Sequence, residues 1–145
     1  MTTQLLVDSN VWIAAQDRQD RDHGTCSSLL LEYSGRLAAT VPVIIETAWF
    51  IEDRHGPARE SEFLRLVTSG VVQAIDLTSE DWVRCVELID AYRGLRLGAV
   101  DASVIAVAER LHLTSIATMN GRDFYAVRPK HCAAFTLLPE GLASP

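Results

Sequence analysis

Apolar and polar positions along this chain fall into two kinds of block. Short continuous apolar runs read as strands buried on both faces, and longer stretches with apolar residues every three or four positions read as helices. Leu5-Leu6-Val7 is a run of the first kind. It ends in Asp8-Ser9-Asn10, after which Val11-Trp12-Ile13-Ala14-Ala15 takes the helical pattern. Ser9 or Asn10 is placed to cap that helix, while Asp8 stands at the strand's carboxyl end or serves as a cap itself. Residues 16–24 are polar and of mixed charge, as an exposed connection would be. Thr25 or Ser27 then opens a helix carrying Leu29, Leu30 and Tyr33, which closes at Gly35.

Leu37 to Val41 reads as a second strand, and Pro42 suits the first turn of a helix. Val43 to Ile51 is apolar almost all round, including Trp49 and Phe50. A helix of that kind is expected to be buried, in the core or against another chain. Pro57 to Thr68 forms a further helix with Phe63, Leu64 and Val67 inward, and Val71 to Ile75 a third strand. Thr78-Ser79-Glu80-Asp81 is a capping signal for a helix over Trp82 to Tyr92. Gly94 and Gly98 bracket a basic turn holding Arg96, and Ala99 to Leu111 follows helical spacing. Ser115 to Thr118 is a fourth strand, Met119 to Phe124 a loop, and Ala134 to Leu138 a last strand. Strands alternating with helices predict a three-layer α/β/α domain with a mostly parallel central sheet of about five strands, a single domain over 1–145.

At 145 residues, with 48% hydrophobic and 22% charged positions, the chain can bury a core and is not of disordered composition. Leader-like and membrane-spanning apolar runs are absent, and Cys26, Cys85 and Cys132 are scattered, which leads to a cytoplasmic expectation. Zinc is disfavoured because His23, His55, His112 and His131 show no ligand spacing with those cysteines. The net charge of −6 argues against a nucleic-acid partner, but the charge is uneven. Residues 1–83 carry 13 acids and 6 bases, whereas 84–130 carry 5 acids and 7 bases.

Four acids sit at odds with their surroundings. Asp8 ends a buried strand, Glu46 lies within an apolar helix, Asp101 is in the first turn of another, and Asp123 follows a short strand. Each also has an ordinary explanation: a cap, an exposed strip beside Thr47, a helix-dipole preference, and for Asp123 a cap of the final helix after the Asn120-Gly121 turn. As a set they are harder to dismiss. An ionised carboxylate without a partner is expensive to bury, and too few bases lie nearby, so a hard cation such as Mg²⁺ is the natural partner. In parallel sheets the crevice for ligands opens at the carboxyl ends of the strands, where Asp8 and the residues after Ser115–Thr118 belong.

Val7-Asp8-Ser9-Asn10, Glu46 in its apolar helix, Gly98-Ala99-Val100-Asp101-Ala102 and Thr118-Met119-Asn120-Gly121-Arg122-Asp123-Phe124 together resemble the PIN-domain ribonucleases, and among them the VapC-type toxins. The resemblance runs from Leu5 to about Pro139, with Met119 and Asn120 the departures or variable positions of the last motif. It implies phosphodiester hydrolysis of RNA at a Mg²⁺ or Mn²⁺ site, leaving a 5′ phosphate and a 3′ hydroxyl. Asp8, Glu46, Asp101 and Asp123 would form the acidic cluster, and Ser9, Thr118 and Asn120 would be polar supports. A cation there neutralises developing charge and activates water near neutral pH. A cognate antitoxin is implied as partner, whose Arg or Lys would suit the carboxylates. A homodimer is expected too, and the Val43 to Ile51 helix is a candidate contact for it or for the antitoxin. Arg96 and Arg122, with Arg128 or Lys130, are candidates for meeting the RNA backbone.

Competing readings are a housekeeping RNA-processing nuclease of the same family, a receiver-like signalling domain, and a non-catalytic module that binds RNA or a partner. A receiver needs an acidic pair after the first strand and a Lys after the last, whereas Asp8 is followed by Ser9-Asn10. A phosphatase with an Asp-x-Asp motif is disfavoured because Asn10 holds the second position.

Overall fold

The computed structural model describes residues 4–140; residues 1–3 and 141–145, the ends of the expected domain, lie outside the described residues. Among the described residues five strands form one sheet: β1 (Leu5–Val7), β2 (Leu37–Thr40), β3 (Val72–Ile75), β4 (Ser115–Ala117) and β5 (Thr136–Leu138). Their order is β3-β2-β1-β4-β5 and every pairing is parallel. Leu6 of β1 lies opposite Ala38 on one side and Ile116 on the other. Leu5, Leu6 and Val7 are wholly buried, as a central parallel strand covered on both faces must be. The chain moves outward from β1 through β2 to β3, then returns to β4 on the opposite side. The strand order therefore reverses between β1 and β4, the place where such sheets open a crevice.

Among the described residues seven helices cover the sheet in a three-layer arrangement. They are α1 (Ser9–Gln16), α2 (His23–Glu32), α3 (Val41–His55), α4 (Pro57–Thr68), α5 (Ser79–Ala91), α6 (Ala99–Leu111) and α7 (Gly121–Ala126), with a 3-10 turn at Arg93–Leu95. α1 packs on α2 and α3, α3 on α4, and α5 on α6. Trp12 of α1 meets Phe63 of α4 edge-on, with ring centroids 6.0 Å apart. α6 is buried continuously from Ala102 to Ala108, and its one polar residue there, Ser103, bonds to Thr40 (2.9 Å) and to the Val100 carbonyl (2.6 Å). Thr78 and Asp81 form the reciprocal cap expected at the start of α5.

Several sequence expectations need correction. α1 is capped by Asp8, not by Ser9 or Asn10: the Asp8 carboxylate accepts the Ser9 backbone N–H at 2.8 Å. α2 starts earlier than Thr25, at His23, without a side-chain cap. In α4, Phe63 is buried but Leu64 is exposed, because it falls a quarter-turn off the inner stripe. The segment Met119 to Phe124 is not all loop, since α7 begins at Gly121. α3 departs most. Val43, Ile44, Thr47, Ala48 and Ile51 make a buried stripe, while Ile45 is 61% and Trp49 64% exposed. The helix has more apolar residues than one buried face can use.

Candidate acidic site at the β1–β4 crevice

The β1–β4 crevice is organised by Asp8. Its backbone N–H donates to the Ala117 carbonyl (2.8 Å), extending the β1–β4 ladder by one rung, so the side chain sits on the rim. Asp8 is 2% exposed, and its two carboxylate oxygens accept from the Ser9 N–H (2.8 Å) and the Thr118 hydroxyl (3.0 Å). These donors do not compensate for where it lies. Burial, then the neighbouring Asp101 charge and more weakly Glu46, push its pKa from 3.8 up to about 6.

Asp101 reaches the same rim from the first turn of α6, half-buried, on the side where the Gly98 backbone N–H helps to stabilise its charge. Burial raises its pKa, and repulsion from Asp123 and Glu46 adds to the rise. Glu46, on the outward face of α3, accepts the Ser9 hydroxyl at 2.8 Å. Asp123, in the first turn of α7, accepts the Asn120 side-chain N–H at 2.9 Å. The structure thus brings Asp8, Glu46, Asp101 and Asp123 from four elements to one rim, where Asp101 feels both Glu46 and Asp123 and Asp8 feels both Asp101 and Glu46. Among the described residues none of the four forms an ion pair. Nor, among those residues, do three His, Cys, Asp or Glu side chains converge tightly enough to make a ready three-ligand group.

Each polar residue singled out beside these acids has a definite bond. Ser9 ties to Glu46, Asn120 to Asp123, and Thr118 to Asp8, while the Thr118 oxygen also accepts the Asn120 backbone N–H at 3.0 Å. Sequence reasoning missed Asn10, whose side-chain oxygen accepts the Met119 N–H at 3.0 Å and clamps the start of α1 to the segment after β4. The signal was the Asp-Ser-Asn run itself, three consecutive polar residues at a strand end. Of the basic residues, Arg96 and Arg122 are both exposed, Arg122 next to Asp123 in α7 and Arg96 in a left-handed conformation (φ 52°) two residues before Gly98. Lys130 is committed elsewhere. Its ammonium lies 3.6 Å from Glu87, and its backbone N–H donates to Glu109, which Arg84 grips through two N–H donors.

A second feature adjoins Glu46. Ile45, Trp49, Trp82, Leu77 and Val100 line an apolar groove of about 780 Å³, with Asp76 and Glu46 its acidic margins.

The PIN-domain family model matches residues 5–129. The chain belongs to the PIN-domain family. Among similar proteins is the Ribonuclease VapC26 of Mycobacterium tuberculosis, 24% identical over 135 residues that cover 93% of this chain and all of that one. Solved structures of like fold include the VapC20 Sarcin-Ricin loop cleaving toxin of Mycobacterium tuberculosis (TM-score 0.73, 21% identity, covering 78% of this chain and 87% of that one). A toxin–antitoxin complex from Klebsiella pneumoniae is similar too (TM-score 0.66, 21% identity, 86% and 92% covered). So is FitAcB from Neisseria gonorrhoeae (TM-score 0.63, 16% identity, 92% and 97% covered). The family match takes in β1 to α7 and with them all four acids of the rim.

Proposed function

We propose that this PIN-domain protein is a divalent-metal-dependent endoribonuclease of the VapC type, the toxin half of a toxin–antitoxin pair. The observation that carries the reading is the rim itself: four carboxylates from separate elements, mutually repelling, with no base paired to any of them among the described residues. A fold tolerates such a cost where a cation is to be held. The donors are all hard oxygens, with hydroxyl and amide oxygens behind them, which suits Mg²⁺ or Mn²⁺ and not a thiolate metal. Such an ion keeps several waters and needs only one or two carboxylates directly, so a rim without a tight three-ligand group still fits it. Asp8, Asp101, Asp123 and Glu46 are the residues that would hold it. The names of the similar proteins, a ribonuclease and a loop-cleaving toxin among them, support RNA as substrate.

When bound, the metal supplies charge neutralisation at the phosphate and activation of water near neutral pH. The chain's own residues set the geometry. Thr118 and the Ser9 N–H hold Asp8 in one orientation, Asn120 holds Asp123, and the Ser9 hydroxyl holds Glu46. Arg96 and Arg122, both exposed, are the side chains we assign to the backbone phosphates. The toxin–antitoxin complexes of like fold support a protein partner, antitoxin or second copy, and the apolar groove beside Glu46 is the surface we assign to it.

The test is cleavage of a mixed cellular RNA pool with Mg²⁺, Mn²⁺ or EDTA, with the new 5′ ends mapped. Discrete ends that vanish in EDTA and in Asp8→Ala support the reading. Ends that persist in both refute it. A short neighbouring reading frame whose product binds this chain and stops cleavage would separate the toxin role from housekeeping RNA processing.

A further inference from the structure

On the other side of the rim from the apolar groove, α7 and the segment after it expose Arg122, Tyr125 and Arg128. Tyr125 is 58% exposed, although aromatic rings of that size are usually put to use. Arg122 lies one helical turn before it, at the spacing that puts two side chains on the same face. Tyr125, Val127 and Arg128, with Ala133 and Ala134, line a cavity of about 380 Å³. That is at the small end of ligand-sized clefts. The cavity is held in place, because the Tyr92 hydroxyl accepts the Arg128 backbone N–H at 3.0 Å and Val127 is buried beneath it.

The charges here are unspent. Arg84, Arg93, Arg110 and Lys130 are all engaged by nearby acids, whereas among the described residues neither Arg122 nor Arg128 forms an ion pair. An exposed ring with one free guanidinium three residues before it and another three residues after it, over a small cavity of mixed polar and apolar lining, is the chemistry that receives a splayed-out base and the phosphates on either side of it. A protein partner would bury more apolar surface than this cavity offers. Tyr125 is two residues from Asp123 and on the opposite face of α7, so its ring stands about one helix diameter, ~10 Å, from that carboxylate. That offset suits a base flanking the scissile phosphate.

We propose that Tyr125, with Arg122 and Arg128, forms a subsite for one unpaired base of the RNA strand next to the bond that is cut. The proposal rests on the ribonuclease reading for its substrate, but the subsite has its own readout in binding. The probe is a mixed-sequence single-stranded RNA dodecamer carrying 2-aminopurine, bound by the full-length chain in Ca²⁺, with cleavage followed separately in Mg²⁺. Tyr125→Ala weakens binding about 10-fold, the order of one base–aromatic stack, and raises KM while kcat holds. Tyr125→Phe, which keeps the ring, stays within about 2-fold of wild type, and 2-aminopurine fluorescence is quenched by wild type and Phe but not by Ala.

Equal binding by Tyr125→Ala, or equal losses in Ala and Phe, overturns the subsite. If the wild type binds and discriminates as described but never cleaves, the subsite stands and the ribonuclease reading falls. If it cleaves with a KM indifferent to Tyr125→Ala, the reverse holds. A Tyr125→Ala chain that loses affinity for its antitoxin but not for RNA would give this face to the protein partner and end the proposal. A wild type that binds no RNA ends both.

Discussion

The two flanks of the acidic rim are built from opposite materials. On the Glu46 side, α3 and α5 present Ile45, Trp49 and Trp82 to solvent around a groove with few polar atoms. On the Asp123 side, α7 exposes Arg122, and Tyr125 and Arg128 stand around a smaller cavity. A wide apolar surface is costly to leave in water and is satisfied by a protein surface that stays. Free guanidinium groups with one ring suit a charged strand that binds, reacts and leaves. Asp101 stands between the flanks, close enough to feel both Glu46 and Asp123. One rim can thus serve two clients because its neighbours sort them.

The largest effect is expected where the flanks meet. Asp101→Asn keeps the size of the side chain but removes the charge that couples Asp8, Glu46 and Asp123. Cleavage should fall roughly 100- to 1000-fold, the scale of several kcal/mol of lost charge stabilisation. Affinity for the protein partner, measured by calorimetry, should change far less. Near-wild-type cleavage by Asp101→Asn would mean that the two flanks do not share a reaction centre.

Asp8 acts instead on stability. Its folded pKa of about 6 lies above its ordinary 3.8, so the folded chain holds that proton more tightly than the unfolded one. The stabilising contribution of this group is complete below about 3.8 and is lost as the pH rises through about 6. The gap corresponds to about 3 kcal/mol at most. Asp8→Asn escapes it but loses one acceptor toward Ser9 or Thr118, leaving a net gain of about 1–2 kcal/mol at pH 8. Thermal melts should show the variant several degrees above wild type at pH 8 in EDTA, with the difference gone or reversed by pH 4. Added Mg²⁺ should raise the wild type and leave the variant where it is. A constant difference across that pH range would remove the electrostatic cost assigned to the rim.

The elements and side chains of this chain differ in how far the sequence reveals them, and for physical reasons. Leu5-Leu6-Val7 and α6 were legible because a continuous apolar run and a strict helical period each have one good solution. The four acids were legible as anomalies, since a carboxylate in apolar company is conspicuous in any order of reading. The cap at Asp8 was less so, because Asp, Ser and Asn compete for that role and only the turn of the chain decides among them. α3 could not be read from composition. Burial and exposure for a partner call for the same residues, so Ile45 and Trp49 look like core until the fold shows which stripe is used. Tyr125 was silent, since a single aromatic residue in a short helix carries no periodicity.

The apolar flank can be broken without touching the chemistry. Trp49→Ser takes the ring out of the middle of the groove while leaving the core alone, because Trp49 is already 64% exposed. The melting temperature should hold within about a degree or two, as surface substitutions do. Affinity for the antitoxin, or self-association in sedimentation, should drop at least about 30-fold if Trp49 is a central anchor. RNA cleavage by the free chain should be unchanged. The matching variant on the other flank, Tyr125→Ala, should do the converse, and a common loss in both would show that the flanks are not separate surfaces.

The smallest effect falls on Thr118, which joins the flanks from beneath. It is 1% exposed, donates to Asp8 at 3.0 Å and accepts the Asn120 N–H at 3.0 Å, so one hydroxyl steadies both Asp8 and the turn that carries Asp123. Thr118→Val keeps the shape and removes both bonds, at about 1 kcal/mol each. Asp8 then loses a donor that favours its charged form, so its pKa climbs further and the acid limb of the pH–rate profile should move to higher pH. Cleavage at pH 7 should fall about 10-fold, and Thr118→Ser, which restores the hydroxyl, should recover most of it. A merely structural threonine would lower the melting temperature of Thr118→Val but leave the position of that limb alone. Because the hydroxyl acts on Asp8 and Asn120 and on neither flank directly, partner affinity and RNA binding in Ca²⁺ should both be spared.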